Sequence, residues 1–430
     1  MAHVSTYIQR RTALVTAVKV AYPQFTGPIV ISAASEDERH RFQQDSTFYY
    51  FTGINEPGAV LVLELDGTTT LYAPTFSADR ARWVAPACVL SSETATTYGL
   101  TAIVSAGKPR PGYFVSPVFA AEHYENLITR LRQSSQIGAC VPQSLIERLW
   151  YLVPELSRSV FNITPMIGQL RRKKSKEELE AIYKAVELTM VAQEAAAQCI
   201  EDDVREQQVQ AGISYIFAEA GAQEAFPTIV ASGKQCTTLH YTCHANTMRE
   251  GDLVVVDCGA LVNHYCADVS RTYPVSGRFS SEQRKVYEVV LATQQYIASC
   301  AKPGMFLNNK EKPQQSLHHL AVAFVEKHGY GKAFLHSIGH FLGLDVHDVG
   351  DQMQPLQEGD VITIEPGLYI PDMQIGVRIE DDYWIVRDGA ECMSAHLPKT
   401  PEEIEEMAQA TMQECQGCDD ESCCSDDEIN

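Results

Sequence analysis

Apolar positions recur along this chain in two rhythms, and the balance between them changes near residue 170. Before that point the short runs Ile29-Val-Ile-Ser32, Ala59-Val-Leu-Val-Leu-Glu64 and Thr69-Thr-Leu-Tyr72, bounded by Gly, Pro and Asp, read as strands. Tyr124–Gln133 and Val141–Tyr151 read as helices or part-helices. After it, Ser175 with Glu178 three residues on forms a capping box, and Leu179, Ile182, Val186 and Met190 follow on one helical face. A second box, Ser280 with Gln283, starts another helix. Leu253–Val256 and Val361–Ile364 read as strands between the helices, and residues 401–407 as a last acidic helical turn. Hairpin-like connections among abundant helices predict an α+β fold with an antiparallel or mixed sheet.

Length and composition narrow the class. With 430 residues, two or three domains are expected. At 45% hydrophobic and 21% charged residues, disorder throughout, collagen and coiled coil are excluded. The net charge of −21 is uneven, because residues 401–430 hold eleven Asp or Glu and no Lys or Arg. A mildly acidic body argues against a nucleic-acid partner. No apolar run reaches the roughly 18 residues that a membrane span requires. Arg10-Arg11 before an apolar stretch faintly resembles a signal segment, but Lys19 interrupts it and no A-x-A site follows, so an amphipathic first helix is expected. Thirteen cysteines at irregular spacing read as reduced thiols in a cytoplasm.

Two segments have competing readings. Arg171-Arg-Lys-Lys174 is short for a nucleic-acid footprint and reads as a solvated linker. The tail carries Cys415-Gln-Gly-Cys418 and Cys423-Cys424 among acids; the gap between the pairs is too short for a usual zinc ribbon, which leaves a disordered tail. The expected organisation is 1–170, 171–412 and an acidic tail, 413–430.

Three stretches carry candidate chemistry. In Val254-Val-Val-Asp257 through Asp268-Val-Ser-Arg, a hairpin turning at Val262-Asn263 would set Asp257 directly opposite Asp268, with Cβ atoms roughly 5 Å apart. Two carboxylates at that distance make sense around a cation; two exposed aspartates are the alternative. His336, His340 and His347 cluster with Gly339 and Gly343, which let the backbone approach something closely. Glu365 ends an apolar strand, where a buried carboxylate needs a partner. Arg378, Glu380 and Asp382 share one strand face. Four carboxylates and one imidazole suit hard divalent ions, manganese ahead of zinc or copper, and suffice for two of them.

These stretches resemble the metallopeptidase family that includes methionine aminopeptidase, prolidase and aminopeptidase P. The family's five metal ligands map onto Asp257, Asp268, His340, Glu365 and Glu380, in the expected order. Asp45–Pro57, His347-Asp-Val-Gly350, Glu365-Pro-Gly-Leu-Tyr-Ile370 and Lys399–Glu405 are most similar to the aminopeptidase P branch. The resemblance implies a pita-bread catalytic domain behind a smaller creatinase-type, RNase H-like α/β domain. It implies two divalent ions (Mn2+, with Zn2+ or Co2+ as alternatives) and a hydroxide bridging them that attacks peptides with proline at the second position. Glu365 would be the general base. His240 and His347 would hydrogen-bond the substrate carbonyl, His336 would line the pocket, Arg378 would orient Glu380 or a neighbouring acid, and Tyr369 would stand behind them. A homodimer or homotetramer is expected, with no nucleic-acid or membrane partner. Ser337 stands where the family has Gly, which bears on loop geometry.

Three rivals remain. A prolidase uses the same ligands on dipeptides. A non-catalytic pita-bread binding module, or a metal-independent hydrolase such as creatinase, would not need all five ligands. G-x-S-x-G, H-E-x-x-H and G-x-G-x-x-G are all missing from the sequence, so serine hydrolase, zincin and dinucleotide readings have no support.

Overall fold

The computed structural model describes residues 3–416 apart from 37–38, 78–79, 86–87, 117–119 and 142–153. The chain divides into two compact units, Met1–Arg171 and Arg172–Asn430. The helix expected over Val141–Tyr151 and the cysteine-rich tail lie almost wholly outside the described residues.

In the first unit, α1 (Val4–Ala21), β1 (Ile29–Ser32), α2 (Ser46–Thr52), β2 (Val60–Leu63), β3 (Thr69–Ala73), α3 (Ser92–Thr97), β4 (Ala102–Ser105), α4 (Glu125–Arg132), β5 (Ile137–Ala139), β6 (Val160–Asn162) and α5 (Thr164–Arg172) follow in order. One mixed six-stranded sheet runs β4-β3-β2-β1-β5-β6. Val30, Val60 and Val62 pack against Leu127, Ile128 and Leu131 of α4. The Arg10-Arg11 pair sits inside α1 and is buried. Arg10 donates to the carbonyl of Tyr50, and Arg11 to those of Phe51, Tyr98 and Gly99. These are carbonyls at the C-terminal ends of α2 and α3, where no intrahelical partner exists. Burial pulls the Arg11 guanidinium down to about 10.

The second unit begins with α6 (Lys176–Gln198), whose Ser175/Glu178 capping box is formed. Then come α7 (Glu206–Glu219), β7 (Gln223–Glu224), β8 (Ile229–Ser232), β9 (Leu253–Cys258), β10 (Ala260–Val262), β11 (Tyr265–Cys266), β12 (Val269–Pro274), α8 (Ser281–Cys300) and α9 (Leu317–Lys327). The chain ends in β13 (Val361–Ile364), β14 (Gly367–Ile370), β15 (Ile375–Arg378), β16 (Asp381–Val386), β17 (Gly389–Cys392) and α10 (Pro401–Gln416). The last of these is longer than the single turn expected at 401–407. The strand groups β12-β9-β8, β11-β10-β7, β13-β16-β17 and β14-β15 pair antiparallel throughout.

The long helices bond to the sheets in the same way in each half. Gln193 of α6 donates to the carbonyls of Val256 and Val269. Gln294 of α8 donates to those of Ile364 and Ile379. In each half a buried amide side chain satisfies strand carbonyls where the ladder opens, beside Asp257 and Asp268 in one case and Glu365 and Glu380 in the other.

Two expectations are corrected here. The β9–β12 register pairs Asp257 with Ser270, not with Asp268, and the turn lies at Asn263-His264. Both turn residues have positive φ, 51° and 69°, a conformation that valine at 262 would resist. Asp268 therefore lies diagonal to Asp257, on the same sheet face. The basic run is not solvated either: Arg171, Arg172 and Lys174 are buried, with Arg172 paired to Asp360 and Lys174 to Asp348.

Candidate metal centre and active site

Asp257 lies one residue before the end of β9 at Cys258, Asp268 immediately precedes β12, Glu365 follows β13 and Glu380 lies between β15 and β16. His340 comes from the segment before β13. Phe341 bridges Ile362, the amide of Glu365 donates to the carbonyl of Ile338, and that of Thr363 to the carbonyl of His340, all holding this segment along β13. A Cβ on Gly339 would lie 2.1 Å from the Thr363 carbonyl oxygen, so only glycine permits the approach. The His340 ring is oriented by Nδ1, 3.0 Å from its neighbour's carbonyl at Phe341. That leaves Nε2 facing inward, 3.4 Å from Asp268 Oδ2 and 3.6 Å from Glu365 Oε1.

Asp268, His340 and Glu380 each offer a donor atom within 4.8 Å of the others. They line, with Asp257 and Glu365, a cavity of about 680 Å³. That is the size of a small-ligand pocket. Burial, then Asp257, Asp382 and Glu365, push the Asp268 carboxyl well above its usual range. Burial, then Asp268 and Glu365, do the same to Glu380. Burial raises Glu365 too, although His340 and Arg378 oppose it. Asp382, fully buried, accepts from the amide of Asp268.

Ionised together, five carboxylates against the guanidinium of Arg378 would leave four negative charges, which two divalent cations would balance. Asp257 Oδ1, Asp268 Oδ1 and Asp382 Oδ1 are buried without a hydrogen-bond partner. Carboxylate oxygens left bare in this way are what metal ligation would use. The residues therefore fit divalent metal ions, which Asp268, His340 and Glu380, with Asp257 and Glu365 on the same cavity, would hold.

Arg378 was expected to orient Glu380 or a neighbour. It reaches Asp257 Oδ2 directly at 2.7 Å, and Ser270 Oγ at 2.8 Å; Ser270 in turn donates to Glu380 Oε2 at 2.8 Å. A third bond runs from Arg378 to the Tyr369 hydroxyl, which lies 3.0 Å from His336 Nε2. Burial, then Arg378, pull the His336 imidazole down to about 4, so it is neutral. Its Nδ1 donates to the Ser337 carbonyl at 2.8 Å and its Nε2 accepts from Tyr369. His336 thus lines the cavity with both nitrogens engaged, and Tyr369 stands behind it.

His240 and His347 both line the cavity and are exposed toward it. The His347 ring lies 4.3 Å from that of His340, nearly perpendicular. Burial, then His340 and His240, lower its pKa and favour the neutral form. Phe226, Pro227, Ile229 and Leu239 add an apolar wall. Ser270 and Thr363 escaped sequence reasoning. Thr363 Oγ1 accepts from the amide of His340 and donates to Glu365 Oε1 at 3.4 Å. The available signal was parity, since Ser270 is two residues from Asp268 and Thr363 two from Glu365.

Residues 180–387 match metallopeptidase family M24, and residues 7–106 the aminopeptidase P N-terminal domain. A Xaa-Pro aminopeptidase from Escherichia coli strain K12 is 30% identical, covering 92% of this chain and 96% of its own. A Xaa-Pro dipeptidase from Pyrococcus furiosus is 36% identical over 67% of this chain and 80% of its own. The solved structure of aminopeptidase P from E. coli with the inhibitor Pro-Leu is similar at a TM-score of 0.81 and 27% identity, covering 96% of this chain and 100% of that one.

Proposed function

This chain belongs to metallopeptidase family M24, and from that membership we propose that it is a metal-dependent Xaa-Pro aminopeptidase, releasing the first residue of peptides whose second residue is proline. The observation that carries this reading is the convergence of four carboxylates and one imidazole, with orphaned buried oxygens, on a single cavity. When bound, two divalent ions would lower the pKa of water and polarise the scissile carbonyl.

The chain's own groups supply the rest. Glu365 takes a proton from the attacking water and returns it to the departing proline nitrogen, a task suited to a carboxyl raised by burial. His240 and His347 donate hydrogen bonds to the carbonyl oxygen as it gains charge. Arg378 holds Asp257 directly and Glu380 through Ser270. An Xaa-Pro bond has no N–H, so recognition rests on shape and on the carbonyl.

The oxygen-rich donor set with one imidazole favours manganese as the native ion. The thirteen irregularly spaced cysteines favour a reducing cytoplasm. Assembly as a homodimer or homotetramer belongs to the same reading, and sedimentation of the purified protein would test it.

The Pyrococcus relative keeps a dipeptidase reading in play. Purified protein loaded with Mn2+ should release the first residue from an Xaa-Pro-Yaa tripeptide. Cleavage of Xaa-Pro dipeptides alone would move the assignment to a dipeptidase, and cleavage of neither would end it.

A further inference from the structure

The basic run ahead of α6 reaches the cavity through the loop that carries His347. Lys174 Nζ lies 2.8 Å from Asp348 Oδ2, and the two side chains are 0% and 2% exposed. Asp348 directly follows His347 and itself lines the cavity. Its amide donates to the carbonyl of Phe341, next to His340. The loop folds over this ion pair at Gly343, where a Cβ would lie 2.2 Å from Asp348 Oδ2 and 3.0 Å from Lys174 Cε. The Gly343 carbonyl accepts from the amide of Cys266, two residues from Asp268.

The same short segment grips the loop again further on. The amide of Lys174 donates to the carbonyl of Gly359. Arg172 bonds Asp360 and the Pro355 carbonyl, and its guanidinium lies 4.9 Å from the Phe341 ring. A buried ion pair gives little net stability over an apolar pair of the same volume, whereas it fixes direction well. Here the direction it fixes is that of the chain on which His347 meets His340, with rings 4.3 Å apart.

The geometry points to Lys174 as a positioning residue for the reaction: through the buried Lys174–Asp348 pair it sets the His347 imidazole over the metal-ligand cluster. This rests on the reading of His347 as a donor to the substrate carbonyl. Misplacing such a group by about 1 Å can cost on the order of 100-fold in rate.

The test is a double-mutant cycle on the Mn2+-loaded full chain with an Xaa-Pro-Yaa tripeptide. Lys174→Met should lower kcat by on the order of 100-fold, with KM and bound metal nearly unchanged. In a His347→Ala background the same substitution should cost nothing further. Equal losses in both backgrounds would mean a merely structural role and overturn the proposal. Should Lys174→Met not fold, the Lys174→Met/Asp348→Leu pair removes both charges together and should fold, keep its metal and fall to the kcat of His347→Ala. Wild-type kcat in that pair also overturns it. Wild-type kcat in His347→Ala removes the parent role of His347 and the proposal with it, while inactivity of the wild type toward both peptides ends the assignment itself.

Discussion

Arg378 is one positive charge among five carboxylates, four of them buried, and its three bonds are spent on direction. It fixes one oxygen of Asp257, the hydroxyl that bonds Glu380, and the hydroxyl that holds His336. Partners behind metal ligands commonly carry 10- to 100-fold in affinity or activity. Arg378→Ala should therefore weaken metal binding and lower kcat by about 10- to 100-fold, with Ser270→Ala nearer the lower end. Metal titration by calorimetry beside the peptide assay reads both, and unchanged affinity in Arg378→Ala would contradict the assignment. A different kind of residue effect is expected at His318, whose pKa is lowered by burial, then by His319, and whose Nδ1 is orphaned. The unfolded chain takes up the proton first as pH falls below about 6.5. Stability linked to this group is thus complete at alkaline pH and declines as pH drops through that value toward the lower folded pKa. Urea unfolding at pH 8 and pH 5 should show a smaller loss in His318→Gln than in the wild type. An equal loss in both would assign the pH dependence elsewhere.

At the scale of elements, the hairpin β9–β12 couples sequence most tightly to the site. Gly259 follows Cys258, the partner of Val269, and a Cβ there would sit 1.8 Å from the Ala267 carbonyl oxygen and 2.8 Å from the Phe226 ring. No side chain can shift to absorb contact with a backbone carbonyl. Gly259→Ala should lower unfolding free energy by about 3 kcal/mol or more and reduce bound metal; a urea midpoint like that of the wild type would show that the hairpin yields instead. The hairpin also marks how far the sequence could be read. The capping boxes at Ser175 and Ser280 announce their helices because their signals are local. The five candidate metal donors could be singled out because their types, order and strand-end positions survive without coordinates, and all five line one cavity. The register was legible only in principle: a turn at Val262-Asn263 would force a β-branched residue to positive φ, a steric cost that favours Asn263-His264, whose two residues adopt it. The partners of Arg172 and Lys174 were not legible, because Asp360 and Asp348 lie far along the chain and charge alone does not distinguish a buried cation from a solvated one.

On the scale of the molecule, the candidate metal donors and, among the described residues, those lining the cavity belong to Arg172–Asn430, while Met1–Arg171 has its own sheet and core. Binding to the folded second unit alone stabilises that unit by mass action. At free metal about 100 times Kd the gain is on the order of 3 kcal/mol. For a unit of this size each kcal/mol moves Tm by about 2–4 °C. Without cations, Asp257, Asp268, Glu365 and Glu380 remain crowded in one cavity, so chelation removes the binding energy and exposes the repulsion among those that stay ionised. Scanning calorimetry of the full chain with Mn2+ and with EDTA should therefore show a transition that falls by about 6–12 °C on chelation. Any separate transition from Met1–Arg171 should stay in place. The shift should vanish in a variant carrying both Asp268→Asn and Glu380→Gln, because the cation then loses two of its oxygens and the apo cavity two of its charges. A chelation shift that persists in that variant would place the stabilising ion somewhere other than this centre.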